Sequence, residues 1–257
     1  MPTARIHLEP AFGPCSLGVD SALRALDAYW GEPRGSGLAA QGPDYYDAAC
    51  SFPTSRWTPE PGPGPGGFLA APGARDPGQL EFGDLAWATL LVGRPSPVAA
   101  QALLRATLEP IHLPSSLTLA EADDGVVAEI ADLIWRTQTA LKGVRTAITV
   151  KMLHPKRPSL IPVIDNQNFF GSYMSSTWRP GGPTPSRSPR NRTAITDGLR
   201  AFQQVLAAPQ NQPAWESLDR WCSRDGAGPF PRTVLLDMLW WSVRHGAVEL
   251  STQQRQG

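Results

Sequence analysis

Apolar residues recur along this chain at helical intervals far more often than in alternation, and the helices this predicts are separated by stretches with no period at all. Val19, Leu23, Leu26 and Trp30 share one face of a helix predicted over Leu17 to Trp30. A second pattern runs from Phe82 to Val92. A third runs from Ser96 to Leu108, where Ser96 can cap the helix and Pro97 occupies a first-turn position that needs no N–H donor. Asp123 or Asp124 can cap the next helix, which carries Val126, Val127, Ile130, Leu133, Ile134 and Leu141 on one stripe and is expected to stop at Gly143. A short helix follows from about Thr146 to Leu153, and another is expected from Asp165 toward Trp178. Three more close the chain: Thr193 to Ala207, Pro213 to Arg224, and Pro231 to His245 with Gly246 at its end. Almost nothing alternates with period two, so the predicted fold class is mainly α.

The stretches between are as informative as the helices. Gly31 to Gln79 has no periodicity, and its run from Pro59 to Gly67 alternates Pro and Gly in a way that excludes a helix or a central strand. The segment from Arg179 to Arg190 is basic and broken by proline. The organisation expected is one unit over 1–257: a long loop excursion at 31–80, a helical part at 82–178, a flexible basic linker at 179–192 and C-terminal helices at 193–257.

Gly and Pro together supply about a fifth of the residues, below the level at which disorder becomes the default. Cys15, Cys50 and Cys222 are too few and too scattered for a disulfide framework, a zinc site or an iron–sulfur cluster. No apolar run approaches the roughly 20 residues that span a bilayer, and the start of the chain lacks a signal-peptide core, so a soluble cytoplasmic protein without a membrane partner is expected. No metal and no cofactor is expected either. Motifs of serine hydrolases, P-loop enzymes and zinc proteases are missing from the sequence.

Formal net charge is zero, but its distribution is uneven. Between Leu133 and Thr196 stand ten basic residues, Arg136, Lys142, Arg145, Lys151, Lys156, Arg157, Arg179, Arg187, Arg190 and Arg192, against a single acid, Asp165. Within this window Leu141-Lys142-Gly143-Val144-Arg145 joins two predicted helices. A tight turn built on Gly brings backbone N–H groups to the start of the second helix, an arrangement that holds a phosphate oxygen without reading any base. Lys142, Arg145 and Lys151 can add charge-assisted contacts to the same strand.

These residues resemble the helix-hairpin-helix DNA glycosylase superfamily, in which an L-P-G-V-G hairpin is followed by a helix and then by a short apolar piece ending V-D, whose Asp caps the next helix. Leu141-Lys142-Gly143-Val144 stands for the hairpin and Pro162-Val163-Ile164-Asp165 for the ending. The string from Lys156 to Asp165 is also similar to a K-R-P-x-L-I-P-V-x-D signature of an uncharacterised actinobacterial family, read as a branch of the same fold. The match covers about thirty residues well and the remainder only by helix count. Arg145 replaces the second hairpin Gly, so its guanidinium would take over a backbone contact. Ala147 stands where bifunctional members carry a Schiff-base Lys, which implies a monofunctional enzyme, with Lys151 one turn further along as a minor route to lyase chemistry.

The resemblance implies a helix-hairpin-helix glycosylase-like bundle acting as a monomer on double-stranded DNA, with Lys142, Gly143, Val144, Arg145 and Lys151 binding DNA and Asp165 catalytic. Breaking the bond between base and sugar builds positive charge on the deoxyribose, and a nearby carboxylate lowers that barrier. The base must be flipped from the stack into a pocket, commonly between aromatic faces. Tyr45, Tyr46, Phe52 and Trp57 are candidates, because they lie in the long loop rather than on a helix stripe. A pocket made by so large an excursion could take a bulky modified base, so defence against phage DNA stands beside base-excision repair as an expected role. A protein that binds DNA without chemistry, with Asp165 as a plain helix cap, is the alternative. Trp135, Trp215, Trp221, Trp240 and Trp241 fall at helical spacings and are expected in the core; His154 and His245 are expected to be structural.

Overall fold

A computed structural model describes residues 4–9, 15–30, 78–81, 83–85, 88, 98–99, 101–102, 110–180, 182–223, 230–246 and 248–252. The expected pocket residues Tyr45, Tyr46, Phe52 and Trp57 lie outside them, as does nearly all of the 31–80 excursion. Six α-helices carry the described fold: α1 (Val19–Trp30), α2 (Asp124–Ala140), α3 (Thr146–Leu153), α4 (Arg192–Ala207), α5 (Gln212–Ser223) and α6 (Arg232–Arg244). The described residues are mainly helical, as the periodicity requires.

The helix boundaries follow their caps. The Asp123 carboxylate accepts from the Val126 amide to open α2, and the Asn191 side chain accepts from the Ala194 amide to open α4. After Leu141 the chain turns through Gly143, whose φ of 89° lies in the left-handed region that a Cβ disfavours. α2 packs on α4 and on α3, while α1 packs on α5 and α6. Trp215, Trp221 and Trp240 are buried where these helices meet, and Trp135 and Trp241 pack against the same core from partly buried positions.

Three short strands were not predicted. β1 (Arg5–His7), β2 (Cys15–Gly18) and β3 (Ser251–Thr252) form an antiparallel sheet in the order β1-β2-β3. β1 pairs Ile6 with Leu17, and β2 pairs Cys15 with Thr252. Strands of two to four residues are too short to show an alternation in sequence. The buried Asn211 ties β1 to the helices, accepting from the His7 amide at 2.8 Å and donating to the carbonyls of His7 and Val205.

The helix expected from Asp165 toward Trp178 is also replaced. Only one π-helical turn forms there, Phe169–Tyr173. Its ladder steps back five residues, Phe170 N–H to the Asp165 carbonyl and Met174 N–H to that of Phe169. Glycine is required within it at position 171, where a Cβ would overlap the Pro185 carbonyl oxygen and press on that of Asn166. The chain segment around Pro185 therefore lies directly on the turn.

Candidate functional site

The turn between α2 and α3 is anchored from below. Leu141, Val144 and Met152 are buried with Leu85, Ala88 and Ala99 in a satellite core, so Val144 points inward and its N–H goes to the Leu141 carbonyl at 2.9 Å. The Thr146 hydroxyl donates to Gln138 Oε1 at 2.7 Å, joining the two helices across the turn. Lys142, Gly143 and Arg145 are exposed, and Lys151 is half-buried. No side chain caps α3. The Ile148 amide of the first turn goes to the Arg145 carbonyl at 2.9 Å, and the amides of Thr146 and Ala147 are left without a side-chain acceptor beside two exposed cations.

From α3 the chain enters the core. His154 is fully buried and its Nδ1 lies 2.5 Å from the Ile161 carbonyl oxygen. Burial lowers its pKa to about 4, so the ring is neutral and Nδ1 carries the proton given to that carbonyl. Lys156 is sealed against Asp84, and Arg157 donates to the carbonyls of Leu113 and Ile111 and to that of Lys156. Two cations of the basic run, Lys156 and Arg157, are therefore internal struts. Leu160, Ile161, Val163 and Ile164 continue buried up to Asp165.

Asp165 is half-buried and opens the π-helical turn. Its Oδ1 accepts from the Gln167 amide at 2.9 Å and from the Asn168 amide. Its Oδ2 has no partner among the described residues. Behind it Asn168 is buried, and its side-chain amide donates to Asp237 Oδ1 on α6 at 3.0 Å. Ser172, one turn on, accepts from the Trp240 indole at 2.8 Å. The turn bearing Asp165 is thereby bolted to α6 at two points, and Tyr173 stacks on Phe169 and meets Trp240 edge-on. Burial pushes the Tyr173 phenol up, and its hydroxyl donates to the Leu8 carbonyl at 3.2 Å. Asn168 and Asp237 carry no motif in sequence; only their meeting across sixty-nine positions marks them.

The segment expected to be a linker runs over this turn. The Arg187 amide donates to the Asn166 carbonyl at 2.9 Å, and Arg244 of α6 reaches both Gln167 Oε1 and the Thr184 hydroxyl. Among the described residues no cluster of three or more His, Cys, Asp or Glu is arranged to hold a metal, and no helix is long and apolar enough to cross a membrane.

A family model, described as a family of unknown function (DUF6308), covers residues 68–242, the stretch that includes Asp84, both sides of the Gly143 turn, Asp165 and Asp237. No curated protein and no solved structure matches the chain.

Proposed function

The chain belongs to the family of unknown function DUF6308, and we propose, on its residues and their geometry, that it is a monofunctional DNA glycosylase with a helix-hairpin-helix grip on double-stranded DNA and Asp165 as its catalytic carboxylate. The observation that carries this reading is the state of Asp165. One carboxylate oxygen is held by two backbone amides and the other has no partner among the described residues, so the group is fixed in direction and still open to a ligand. A preset carboxylate needs little reorganisation when positive charge develops beside it, which is the condition for electrostatic catalysis. In the reaction the bond from deoxyribose C1′ to the base nitrogen breaks with its electron pair leaving on the base, and water forms the new C1′–O bond. Asp165 stabilises the cationic sugar and orients the water, whose proton is lost to solvent or to the departing base.

The exposed Lys142 and Arg145, beside the start of α3, which no side chain caps, suit a phosphodiester. Ala147 supplies no amine, so hydrolysis to an abasic site is the product rather than strand cleavage through an imine. The substrate is a damaged base in repair or a modified base of phage DNA.

One observation favours the second reading, a DNA-binding protein without chemistry: the two amides taken by Asp165 Oδ1 are what an ordinary helix cap takes. Asp165→Asn separates the two, because an amide oxygen still caps while the charge is gone. Duplexes carrying different damaged or modified bases would be incubated with the protein, free base followed by mass spectrometry and abasic sites by alkali lability. The glycosylase reading expects base release that Asp165→Asn abolishes while DNA affinity holds or rises. Release that survives the substitution, or DNA binding with no release from any duplex, sinks it.

A further inference from the structure

The ten cations of the basic run divide by what their side chains reach. Lys156 and Arg157 are internal. Arg136 and Arg192 both pair with Asp132, and Arg179 donates to the carbonyls of Ser176 and Trp178. Lys151 also has an interaction of its own. Four remain exposed with no partner among the described residues: Lys142 and Arg145 on the hairpin, and Arg187 and Arg190 on the segment that crosses the π-helical turn. The second pair lines a cleft of about 810 Å³, which Asp165 does not line.

That cleft is built from three pieces. The crossing segment gives one wall, with Arg187 and Arg190; the π-helical turn gives an apolar one, Phe170 and Met174; and the start of α4 closes it with Ala194 and Asp197. Its backbone frame is fixed, since the Arg187 amide is bonded to Asn166 and the Pro185 carbonyl lies against Gly171. Phe170 is held in turn by α4, where Gly198 leaves room for its ring. Asp197, like the arginines, has no partner among the described residues. Two unpaired guanidiniums, an apolar wall and an unpaired carboxylate in one concavity match a ligand that carries an anion, a flat apolar body and an N–H donor.

We propose that this cleft binds one nucleotide unit, its phosphate on Arg187 and Arg190, its base against Phe170 and Met174, and a base N–H or amino group on Asp197. As part of a DNA strand this deepens the glycosylase reading and rests on it, giving the strand a second hold besides the hairpin; as a free nucleotide it does not. The carboxylate disfavours a ligand that is all phosphate, so a base-bearing unit is selected.

The test uses the full chain and its Arg187→Ala/Arg190→Ala variant, with Lys142→Ala/Arg145→Ala as the comparison. Binding of a short fluorescein-labelled single strand and of a labelled duplex is measured by anisotropy over a salt series, and binding of deoxyadenosine monophosphate by NMR shift perturbation. Each lost phosphate contact should flatten the slope of log Kobs against log salt by about 0.7 for a single strand and about 0.9 for a duplex. The cleft variant should therefore bind about tenfold or more weakly, with a shallower slope, while its thermal unfolding is unchanged because neither arginine side chain holds another described residue and the Arg187 amide bond to Asn166 survives the substitution. If the wild-type protein binds DNA and the cleft variant matches it in affinity and slope, the cleft inference is overturned and the hairpin reading stands. If the wild type binds no DNA but the mononucleotide perturbs it and the cleft variant does not respond, the nucleotide site stands and the glycosylase reading falls. No response to either probe removes both.

Discussion

Lys156 Nζ lies 3.1 Å from Asp84 Oδ2, and neither side chain touches solvent. Burial pushes the Asp84 carboxyl up, while the Glu81 amide and the Lys156 ammonium hold it down. A pair of this kind is expensive to assemble but more expensive to break, because a lone charge left behind has no water. It joins the edge of the satellite core under the hairpin to the segment that leads to Asp165.

Lys156→Met alone is therefore expected to destabilise the protein by about 3–5 kcal/mol, whereas Lys156→Met with Asp84→Leu should cost much less. Urea unfolding of both variants measures the difference. Equal losses in the two would show that packing, not the stranded carboxylate, sets the cost.

The buried His154 gives stability a pH dependence of known sign. Its folded pKa of about 4 lies below the ordinary 6.5, so the unfolded chain takes the proton first. The contribution is fully present above pH 6.5, declines as pH falls from there toward about 4, and is flat below. The total is about 3 kcal/mol, from roughly 1.4 kcal/mol for each pKa unit. His154→Asn, although less stable at neutral pH, should lose less on acidification, a difference that urea titrations at several pH values would read.

Asp165→Ala and Asp165→Asn should part in stability as well as in chemistry. The Asn oxygen can still receive the Gln167 and Asn168 amides, so its variant should unfold near the wild-type temperature. The Ala variant loses the cap and about 1 kcal/mol. Thermal unfolding distinguishes them, and a stable Ala variant would mean that the turn is held by Asp237 and Trp240 without help from the cap.

Gly171→Ala drives a methyl group into the Pro185 carbonyl, a backbone atom that cannot rotate aside. A loss of about 1–3 kcal/mol is expected from overpacking, together with faster proteolysis between Arg179 and Arg192 as the crossing segment lifts. Weakened nucleotide binding in the same variant would follow, because the cleft wall moves with it.

Much of the helical frame was legible because helices announce themselves over many residues. The stripe from Val126 to Leu141, the cap at Asp123, the stop near Gly143 and the span Thr146–Leu153 all stand as the spacing predicts. Elsewhere tertiary contacts decide. The helix expected after Asp165 is only a π turn, with the Pro185 segment lying on its Gly171, and Lys156 and Arg157 turn inward because Asp84, Ile111 and Leu113 come from far upstream. Charge counting could not separate those two from Arg187 and Arg190, since the difference lies in which partners the fold delivers. Asp165 was legible as a cap and its setting was not, because Asn168 and Asp237 are ordinary residues until α6 packs on the turn.

The small sheet imposes an order of events on synthesis. β1 and β2 leave the ribosome before β3, and the strand that covers the other side of β2 is Ser251–Thr252, more than two hundred positions later. Until then the outer edge of β2 offers unpaired N–H and C=O groups to any passing chain. Protection of that edge therefore waits on β3, and a chain stalled before β3 emerges would present the edge of β2 that Ser251 and Thr252 otherwise cover.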